Sequence, residues 1–246
     1  MKINLSILFL FTGLLLNHGL IAAELPNNLD LVYRANVAGM NIGTLNRQLR
    51  QTQNGHYSVT SETNATGIAA ILMKDIYREK SEFKVDSGMI YPLKYHQAPD
   101  KKPEKARIAT FDWNNKKVSL NNDRIYDIRP GVQDPASFLF FWMLNPPAEG
   151  EKGTISLVDG KRMSQYEFKI IGHEKVTSLW GEIDTLRIER QKEGNPDKIL
   201  RMWLATGHSY LPVIIENVRP KYKMTFTLEK AEGLKTEERG KVKGER

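Results

Sequence analysis

The chain has no cysteine among its 246 residues, and this absence excludes several classes of protein. Disulfides, thiolate metal sites and cysteine nucleophiles all need a thiol. A bacterial lipoprotein is excluded as well, because its lipid is attached to a cysteine directly after the signal peptide. A chain of this length can bury enough apolar surface to fold without disulfides.

Long apolar runs are absent beyond the N-terminus. There, Lys2 precedes an apolar run from Ile7 to Leu16, and small residues follow at Ala22 and Ala23. This is the layout of a cleaved secretory signal peptide, and the run is shorter than the roughly 20 residues of a membrane-spanning helix. We predict a signal peptide over residues 1–23 and a periplasmic mature protein without a transmembrane segment. An uncleaved N-terminal anchor is the alternative.

Motifs for catalysis and for metal or nucleotide binding are also missing. The sequence contains no Gly-rich phosphate loop, no nucleophile elbow and no pair of histidines at metal-ligand spacing. Although the net charge is +7, basic residues are interleaved with acidic ones, so no basic stripe indicates nucleic-acid binding. We therefore predict no cofactor, no metal and no nucleic-acid partner, and we assign no catalytic residue.

The chain does contain a repeated alternation of apolar and polar residues. Tyr166, Phe168 and Ile170 alternate with Glu167 and Lys169, and similar stretches recur between turn signals such as Asn-Gly and Asp-Gly. A period of two is typical of strands with one buried face, and these dipeptides suit hairpin turns. We predict roughly 11 to 13 strands in a mainly β fold, an antiparallel sheet curled into a barrel or half-barrel.

The strands are predicted to form one domain over residues 24–230. The last residues, 231–246, are charged and contain one leucine, a composition that cannot bury apolar surface and predicts a disordered tail.

Two segments interrupt the alternation. Gly67–Asp75 is rich in helix-forming residues and predicts a short helix. The second begins at Asp134, a capping residue, followed by Pro135 at the first helical position, and it ends before Pro146. Its residues between are apolar on every side, so we predict one helix of about 11 residues that is buried in the sheet or covers it as a lid.

Large apolar residues concentrate in this second helix and in the hairpin that begins at Trp203. Two interpretations remain open: a solid core, or a hydrophobic cavity for an acyl chain or other apolar ligand. If Trp203 faces the concave side, the hairpin forms a wall of such a cavity, and if it faces outward it is a surface aromatic. The residues predicted to line the ligand-binding surface are Phe138, Phe141, Trp142, Trp203, Leu204, Leu211 and Val213.

Several motifs resemble a known family. The stretches "FDW", "VQDPAS" and "WLA…YLPV" are similar to those of the exported bacterial family domain of unknown function 3108, over roughly Leu29 to Leu228. This resemblance implies export and a β-rich fold, and it supplies no catalytic residues. The order of strands and turns is also similar in architecture to periplasmic lipoprotein carriers, in which a half-barrel closes around an apolar cavity.

Three functions follow as hypotheses. The first is binding of a lipid, another apolar or amphipathic envelope ligand, or an envelope protein client. The second is a scaffold or assembly partner with a solid core. The third is a hydrolase of wall polymer or lipid that uses Asp112, Asp134 or Glu182, and it requires two of these acids in one cleft.

Overall fold

A computed structural model describes residues 24–67, 77–192 and 194–234. The predicted signal peptide, nearly all of the predicted helix Gly67–Asp75 and residues 235–246 of the predicted tail lie outside the described residues. The last strand ends at Glu232, so it extends two residues past the domain boundary predicted at residue 230.

The described residues form 14 strands and one α-helix. The first eight strands are β1 (Asn28–Val37), β2 (Met40–Gln51), β3 (Tyr57–Ala65), β4 (Tyr77–Asp86), β5 (Met89–Pro99), β6 (Arg107–Asp112), β7 (Lys117–Leu120) and β8 (Ile125–Asp127). The helix α1 (Phe138–Leu144) follows. The last six strands are β9 (Lys152–Val158), β10 (Met163–Ser178), β11 (Gly181–Lys192), β12 (Asn195–Ala205), β13 (Leu211–Arg219) and β14 (Tyr222–Glu232). A short 3-10 turn, Pro103–Lys105, precedes β6.

All described strands belong to one antiparallel sheet, which confirms the predicted mainly β fold. The order is β8-β7-β6-β5-β4-β3-β2-β1-β14-β13-β12-β11-β10-β9. Consecutive strands pair with each other throughout, except that β8 and β9 lie at the two edges of the sheet. The pairing of β1 with β14 joins the two halves of the chain. The count exceeds the predicted 11 to 13, since β7 and β8 have only four and three residues, too few to show a clear alternation.

The sheet curls, and its two edges approach each other. The stretch after β8 reaches β9 at Gln133, whose N–H donates to the carbonyl of Ser156 at 3.0 Å. The Gln133 carbonyl accepts from the N–H of Val158 at 2.9 Å. Asn122, beyond β7, donates to the carbonyl of Lys161 in the β9–β10 turn at 3.1 Å. The sheet is therefore barrel-like, with its edges bridged by the connection that leads into α1.

The inner face of the curled sheet holds the apolar core. In β1, for example, Leu29, Leu31, Tyr33 and Ala35 are buried, while Arg34 between them is exposed. The same alternation places Tyr166, Phe168 and Ile170 inward in β10, as their spacing predicted. A strand with one buried face has this period because successive side chains point to opposite sides.

Helix α1 lies inside the curl, between β5 and β13. The Asp134 carboxylate accepts hydrogen bonds from the N–H groups of Ala136 and Ser137 at 2.8 and 2.9 Å, so it caps the turn that leads into the helix. The prediction that Asp134 caps the helix itself is wrong, because the helix begins at Phe138 and its N-cap, Ser137, has no side-chain cap bond. The helix has seven residues instead of the predicted 11, since Asp134 to Ser137 form a preceding turn. Five of the seven helical side chains are buried, so the helix fills the sheet and does not cover it as a lid.

Candidate functional site

The aromatic residues of α1 pack into the core. The Trp142 ring contacts Phe138, Phe141 and Phe168 edge-on, with ring centroids 6.1, 5.1 and 5.2 Å apart. Trp142 and Phe138 are buried, and Phe141 is half-buried. Leu204, Leu211 and Val213 are buried as well and belong to the same core. The structure thus brings six of the seven predicted ligand-binding residues together on the inner side.

Trp203 lies on the opposite, outer face of β12. Its indole N–H donates to the Glu174 carboxylate at 2.7 Å, and Arg187 forms an ion pair with the same carboxylate at 2.6 Å. Its neighbours Met202 and Leu204 are buried on the inner face. Of the two orientations considered for this hairpin, the structure has the outward one, so Trp203 is a surface aromatic in a charged network.

The three acids of the hydrolase hypothesis lie in three different settings. Asp112, at the end of β6, accepts hydrogen bonds from the Asn115 backbone and side chain, and these bonds lower its pKa. Glu182 is exposed at the start of β11 and pairs with Lys175. Asp134 is buried at the start of α1. No described hydrogen bond or cavity joins two of the three.

A row of polar side chains crosses the inner face of five neighbouring strands. The strand register aligns Arg47, Ser61, Glu79, Gln97 and Arg107 on β2 to β6, and we call these five residues the polar row. Such residues are normally exposed, and a buried arginine needs partners. A polar row on an inner face, with Arg47 buried, is therefore a candidate functional feature.

The members of the polar row are only partly paired. The Arg47 Nε donates to Ser61 Oγ at 3.0 Å, and its Nη2 lies 3.7 Å from the Glu79 carboxylate. The Arg47 Nη1 is buried without a hydrogen-bond partner among the described residues. Arg107 donates to the Gln97 side-chain oxygen at 3.5 Å, which is a long contact. Among the described residues of the row, the unused hydrogen-bonding capacity inside the sheet is therefore that of the Arg47 Nη1, since Arg107 at the end of the row is exposed.

Two further buried groups extend this polar region toward α1. The Tyr95 hydroxyl donates to the Glu79 carboxylate at 2.6 Å, and burial together with Glu79 raises the pKa of this hydroxyl. Ser81 donates to the Asp134 carboxylate at 2.6 Å. Burial raises the pKa of Asp134 to about 6, although the hydrogen bonds from Ser81 and Ser137 oppose this shift. The two hydrogen-bonded pairs lie side by side, since Ser81 is opposite Tyr95 in the strand register, and they extend the polar region toward the turn before the helix.

A cavity of about 540 Å³ opens beside the polar row, and we call it the end cavity. It lies at the end of the curled sheet where β1 leads into β2 and β13 leads into β14. Gln97 and Arg107 of the polar row form part of its wall. The remaining lining residues are Ala35, Ile42, Gly43, Thr63, Tyr77, Asn217, Tyr222, Met224 and Phe226.

The lining of the end cavity is both apolar and polar. Ala35, Met224 and Phe226 supply an apolar wall from β1 and β14. Asn217 on β13 contributes a side-chain oxygen that is buried and has no hydrogen-bond partner among the described residues. Ligand sites commonly combine an apolar wall with a few polar groups that fix orientation. None of the seven residues predicted from the sequence lines the end cavity.

The other described hollows are weaker candidates for a ligand site than the end cavity. Three hollows of about 410, 480 and 520 Å³ are lined mostly by outward-facing residues of the sheet. In the described part of the chain, no three histidine or acidic side chains are grouped as metal ligands. None of the helices in the described ranges has the length and apolarity that a membrane crossing requires.

The sequence did not indicate the polar row, although it carried a weak signal. Arg47 and Glu79 occupy inward positions in the alternation of β2 and β4, the same faces that carry Leu49 and Phe83. A charged residue at an inward position was therefore visible in each strand. The two residues come close together only because β2 and β4 each pair with β3 in a particular register. That register cannot be predicted from the sequence.

Known proteins match the chain at the level of family and fold. A family model described as "Protein of unknown function (DUF3108)" matches residues 32–228. A beta-barrel-like protein of domain of unknown function DUF1849 from Brucella abortus is similar in structure, with a TM-score of 0.57 and 11% identity, over 83% of this chain and 96% of that chain. At such identity the likeness shows the fold alone, and it agrees with a curled antiparallel sheet.

Two further solved structures are more distant. MucB matches with a TM-score of 0.34 and 9% identity, over 84% of this chain and 53% of that chain. A protein described as exported, with a YmcC-like fold, from Bacteroides fragilis matches with a TM-score of 0.34 and 10% identity, over 85% and 96%. These scores are too low to carry an argument. No curated protein matches the chain.

Proposed function

The chain belongs to the DUF3108 family of proteins of unknown function, and on that premise we propose that it is an exported protein that binds one small amphipathic molecule in the end cavity. The observation that carries the proposal is the lining of this cavity. An apolar wall with Phe226 faces polar groups that include the buried, unpartnered oxygen of Asn217. Unpaired buried polar atoms are costly, so a bound polar group would offset part of that cost.

The size of the end cavity supports a small ligand. A volume of about 540 Å³ lies within the range of roughly 300–1,000 Å³ that is usual for small-molecule sites. Met224 and Phe226 suit an alkyl or ring portion, and the polar lining residues, among them Asn217, suit a polar one. The proposed ligand is amphipathic, as predicted from the sequence, but it binds in the end cavity and not against the aromatic residues of α1.

Export is supported by the N-terminal sequence. The apolar run from Ile7 to Leu16 and the small residues Ala22 and Ala23 have the layout of a signal peptide. We expect the protein in the periplasmic fraction of a Gram-negative host to start near Glu24. An intact mass that includes Met1 would contradict this part of the proposal.

Binding can be tested with dansylated undecanoic acid, an amphipathic fluorescent probe. We expect saturable binding to the wild-type protein, measured by the rise in dansyl emission. Thr63→Trp should weaken or abolish it, because Thr63 lines the end cavity and a larger ring would fill the space. Thr60→Trp is the matched control, since Thr60 lies on the same strand but faces outward and is exposed.

Two results would overturn the binding proposal. One is a wild-type protein that shows no saturable binding. The other is a Thr63→Trp variant that is folded by circular dichroism and binds the probe as tightly as the Thr60→Trp variant does.

A scaffold function is the second candidate, and one observation favours it. The aromatic rings around Trp142 pack against each other, and none of the described hollows is lined by a residue of α1. The core around the helix therefore matches the solid-core hypothesis. Recovery of the exported protein in a defined envelope complex, with unchanged recovery for Thr63→Trp, would favour this function over ligand binding.

A further inference from the structure

Arg190 is a charged residue on the inner face of β11. Its neighbours on that face, Leu186 and Ile188, are buried in the core. The Arg190 guanidinium lies 4.3 Å from the centroid of the Tyr166 ring and 5.0 Å from that of Phe138. Cation–π contacts of this kind hold the guanidinium plane in a fixed position.

The charge of Arg190 is not compensated by a carboxylate of the described residues. The side chain is half-buried, and its Nε atom is buried with no hydrogen-bond partner in the part of the chain that the structure describes. On the outer face of the sheet, in contrast, Arg187 pairs with Glu174 at 2.6 Å and Arg201 pairs with Glu189 at 2.9 Å. Natural proteins rarely leave a buried charge without a counter-ion, because desolvation is costly.

A second cation adds to this positive charge. Burial lowers the pKa of Arg190 to about 10, and the nearby charge of Arg219 also lowers it, against the opposing effect of Tyr166. Arg190 is therefore still charged at neutral pH. Arg219 lies at the end of β13, and its guanidinium donates to the carbonyl of Val218 at 2.7 Å.

Arg190 lies at the border of the end cavity. The strand register aligns Arg190, Leu200, Asn217 and Met224 across β11 to β14. Asn217 and Met224 line the cavity, so only Leu200 separates Arg190 from its wall. Two strand spacings amount to about 10 Å, which is within the combined reach of an arginine side chain and a ligand headgroup. Arg190 thus lies two strands beyond Asn217 on the same face of the sheet, outside the residues that line the cavity itself.

We propose that Arg190, with Arg219 beside it, binds the anionic headgroup of the amphipathic ligand, a carboxylate or a phosphate ester. The inference rests on the proposed function, since the apolar part of the same ligand lies against Met224 and Phe226. The planar guanidinium presents N–H groups in the geometry that suits both of these anions. Asn217 provides a further polar contact at the headgroup end.

The test compares charged and neutral ligands of equal chain length. Displacement of dansylated undecanoic acid is measured with decanoate, decyl phosphate, decanol and inorganic phosphate. We expect decanoate or decyl phosphate to displace the probe at least about tenfold more strongly than decanol does. Inorganic phosphate should not displace it at millimolar concentration, because it lacks the apolar part.

Two variants of β11 provide the matched comparison. Arg190→Gln should raise the Kd for the charged ligands about tenfold or more and leave that for decanol nearly unchanged. Arg187→Gln removes an arginine from the outer face of the same strand and should change neither value. Arg190→Lys keeps the charge without the planar fork and should give an intermediate Kd, which shows that the effect is not a loss of folding.

The outcomes separate the two proposals. If decanol and decanoate bind equally and Arg190→Gln has no effect, ligand binding stands and the anionic headgroup is wrong. If inorganic phosphate alone displaces the probe, the site takes free anions and the amphipathic headgroup is wrong. If no probe binds to the wild-type protein, the proposed function fails and the headgroup inference fails with it.

Discussion

The interior of the curled sheet has two regions that differ in how they are filled. Around α1, rings and aliphatic side chains occupy the space, and Trp142 is 2% exposed. At the end cavity, the inner face carries the polar residues Gln97, Arg107 and Asn217, and a volume of about 540 Å³ is left open. The same strands run through both regions, so the difference lies in the side chains. The difference predicts that truncating a side chain around the helix costs more stability than truncating one at the end cavity.

The strongest test of this contrast removes one large side chain from each region. Trp142→Ala should lower the free energy of unfolding by about 3–5 kcal/mol, because it leaves a cavity in a packed core. Phe226→Ala should cost clearly less, since Phe226 is only half-buried beside existing open space. Urea unfolding followed by circular dichroism measures both. Equal losses would mean that the end cavity is as tightly built as the core.

A second pair compares neighbouring residues on opposite faces of β12. Leu204→Ala should lower the free energy of unfolding by about 2–5 kcal/mol, because Leu204 is completely buried. Trp203→Phe should cost about 1 kcal/mol, since it mainly loses the hydrogen bond to the partly exposed Glu174. The same urea experiment applies. A larger loss for Trp203→Phe than for Leu204→Ala would contradict the outward orientation of the indole.

The free energy of unfolding should depend on pH through Asp134, which lies in the turn before α1. The pKa of this carboxyl is about 6 in the folded protein, above its ordinary value of 3.8, because of burial. The folded state therefore binds this proton more tightly than the unfolded state, and the contribution of Asp134 to the free energy of unfolding falls as the pH rises from about 4 to about 6.

Asp134→Asn should remove this dependence. The amide oxygen can still accept from Ala136 and Ser137, and the amide nitrogen can donate to Ser81. We expect the variant to gain stability relative to the wild-type protein between pH 4 and 6, by up to about 2–3 kcal/mol, and to keep that difference at higher pH. A constant difference across this range in urea unfolding would show that Asp134 keeps an ordinary pKa.

The smallest expected effect on stability belongs to Asn217 in the end cavity. Asn217→Ala removes a buried oxygen without a partner, so the free energy of unfolding should change by less than about 1 kcal/mol. The affinity for dansylated undecanoic acid should nevertheless decrease. A large destabilisation with unchanged affinity would place Asn217 in the structural core and not in a binding site.

Much of the fold followed from local patterns in the sequence. The alternation of Tyr166, Phe168 and Ile170 predicted the inner face of β10. Asp134 with Pro135 predicted a helix in this segment but placed its start too early, since the helix begins at Phe138. These features depend only on residues that are close together in the sequence, so the sequence pattern is enough to predict them. The opposite directions of Trp203 and Leu204 also followed from the period of two, although the sequence left open which of them faced inward.

The candidate site did not follow from the sequence, for a physical reason. Arg47 and Glu79 become neighbours only because β2, β3 and β4 pair in one particular register. Arg190 and Asn217 come within reach of one ligand only through β12. The high aromatic content of α1 led to the prediction that its residues line a cavity. Large aromatic rings can equally well fill a solid core, and sequence alone does not distinguish the two cases. Where space is left depends on how completely the side chains of distant strands pack.

The pairing of β1 with β14 has a consequence for how the molecule reaches its native state. Tyr33 near one end of the described chain lies opposite Leu228 near the other, in the middle of the sheet order. Each half of the sheet can form its hairpins locally, but this central ladder needs strands that are far apart in sequence, and such contacts form slowly. Until β14 is available, β1 presents an unpaired edge, which is a template for association with other chains. A protein threaded through a membrane from its N-terminus would expose that edge for as long as the last strand has not emerged. Pairing of β1 with β14 then competes with association between unfinished chains.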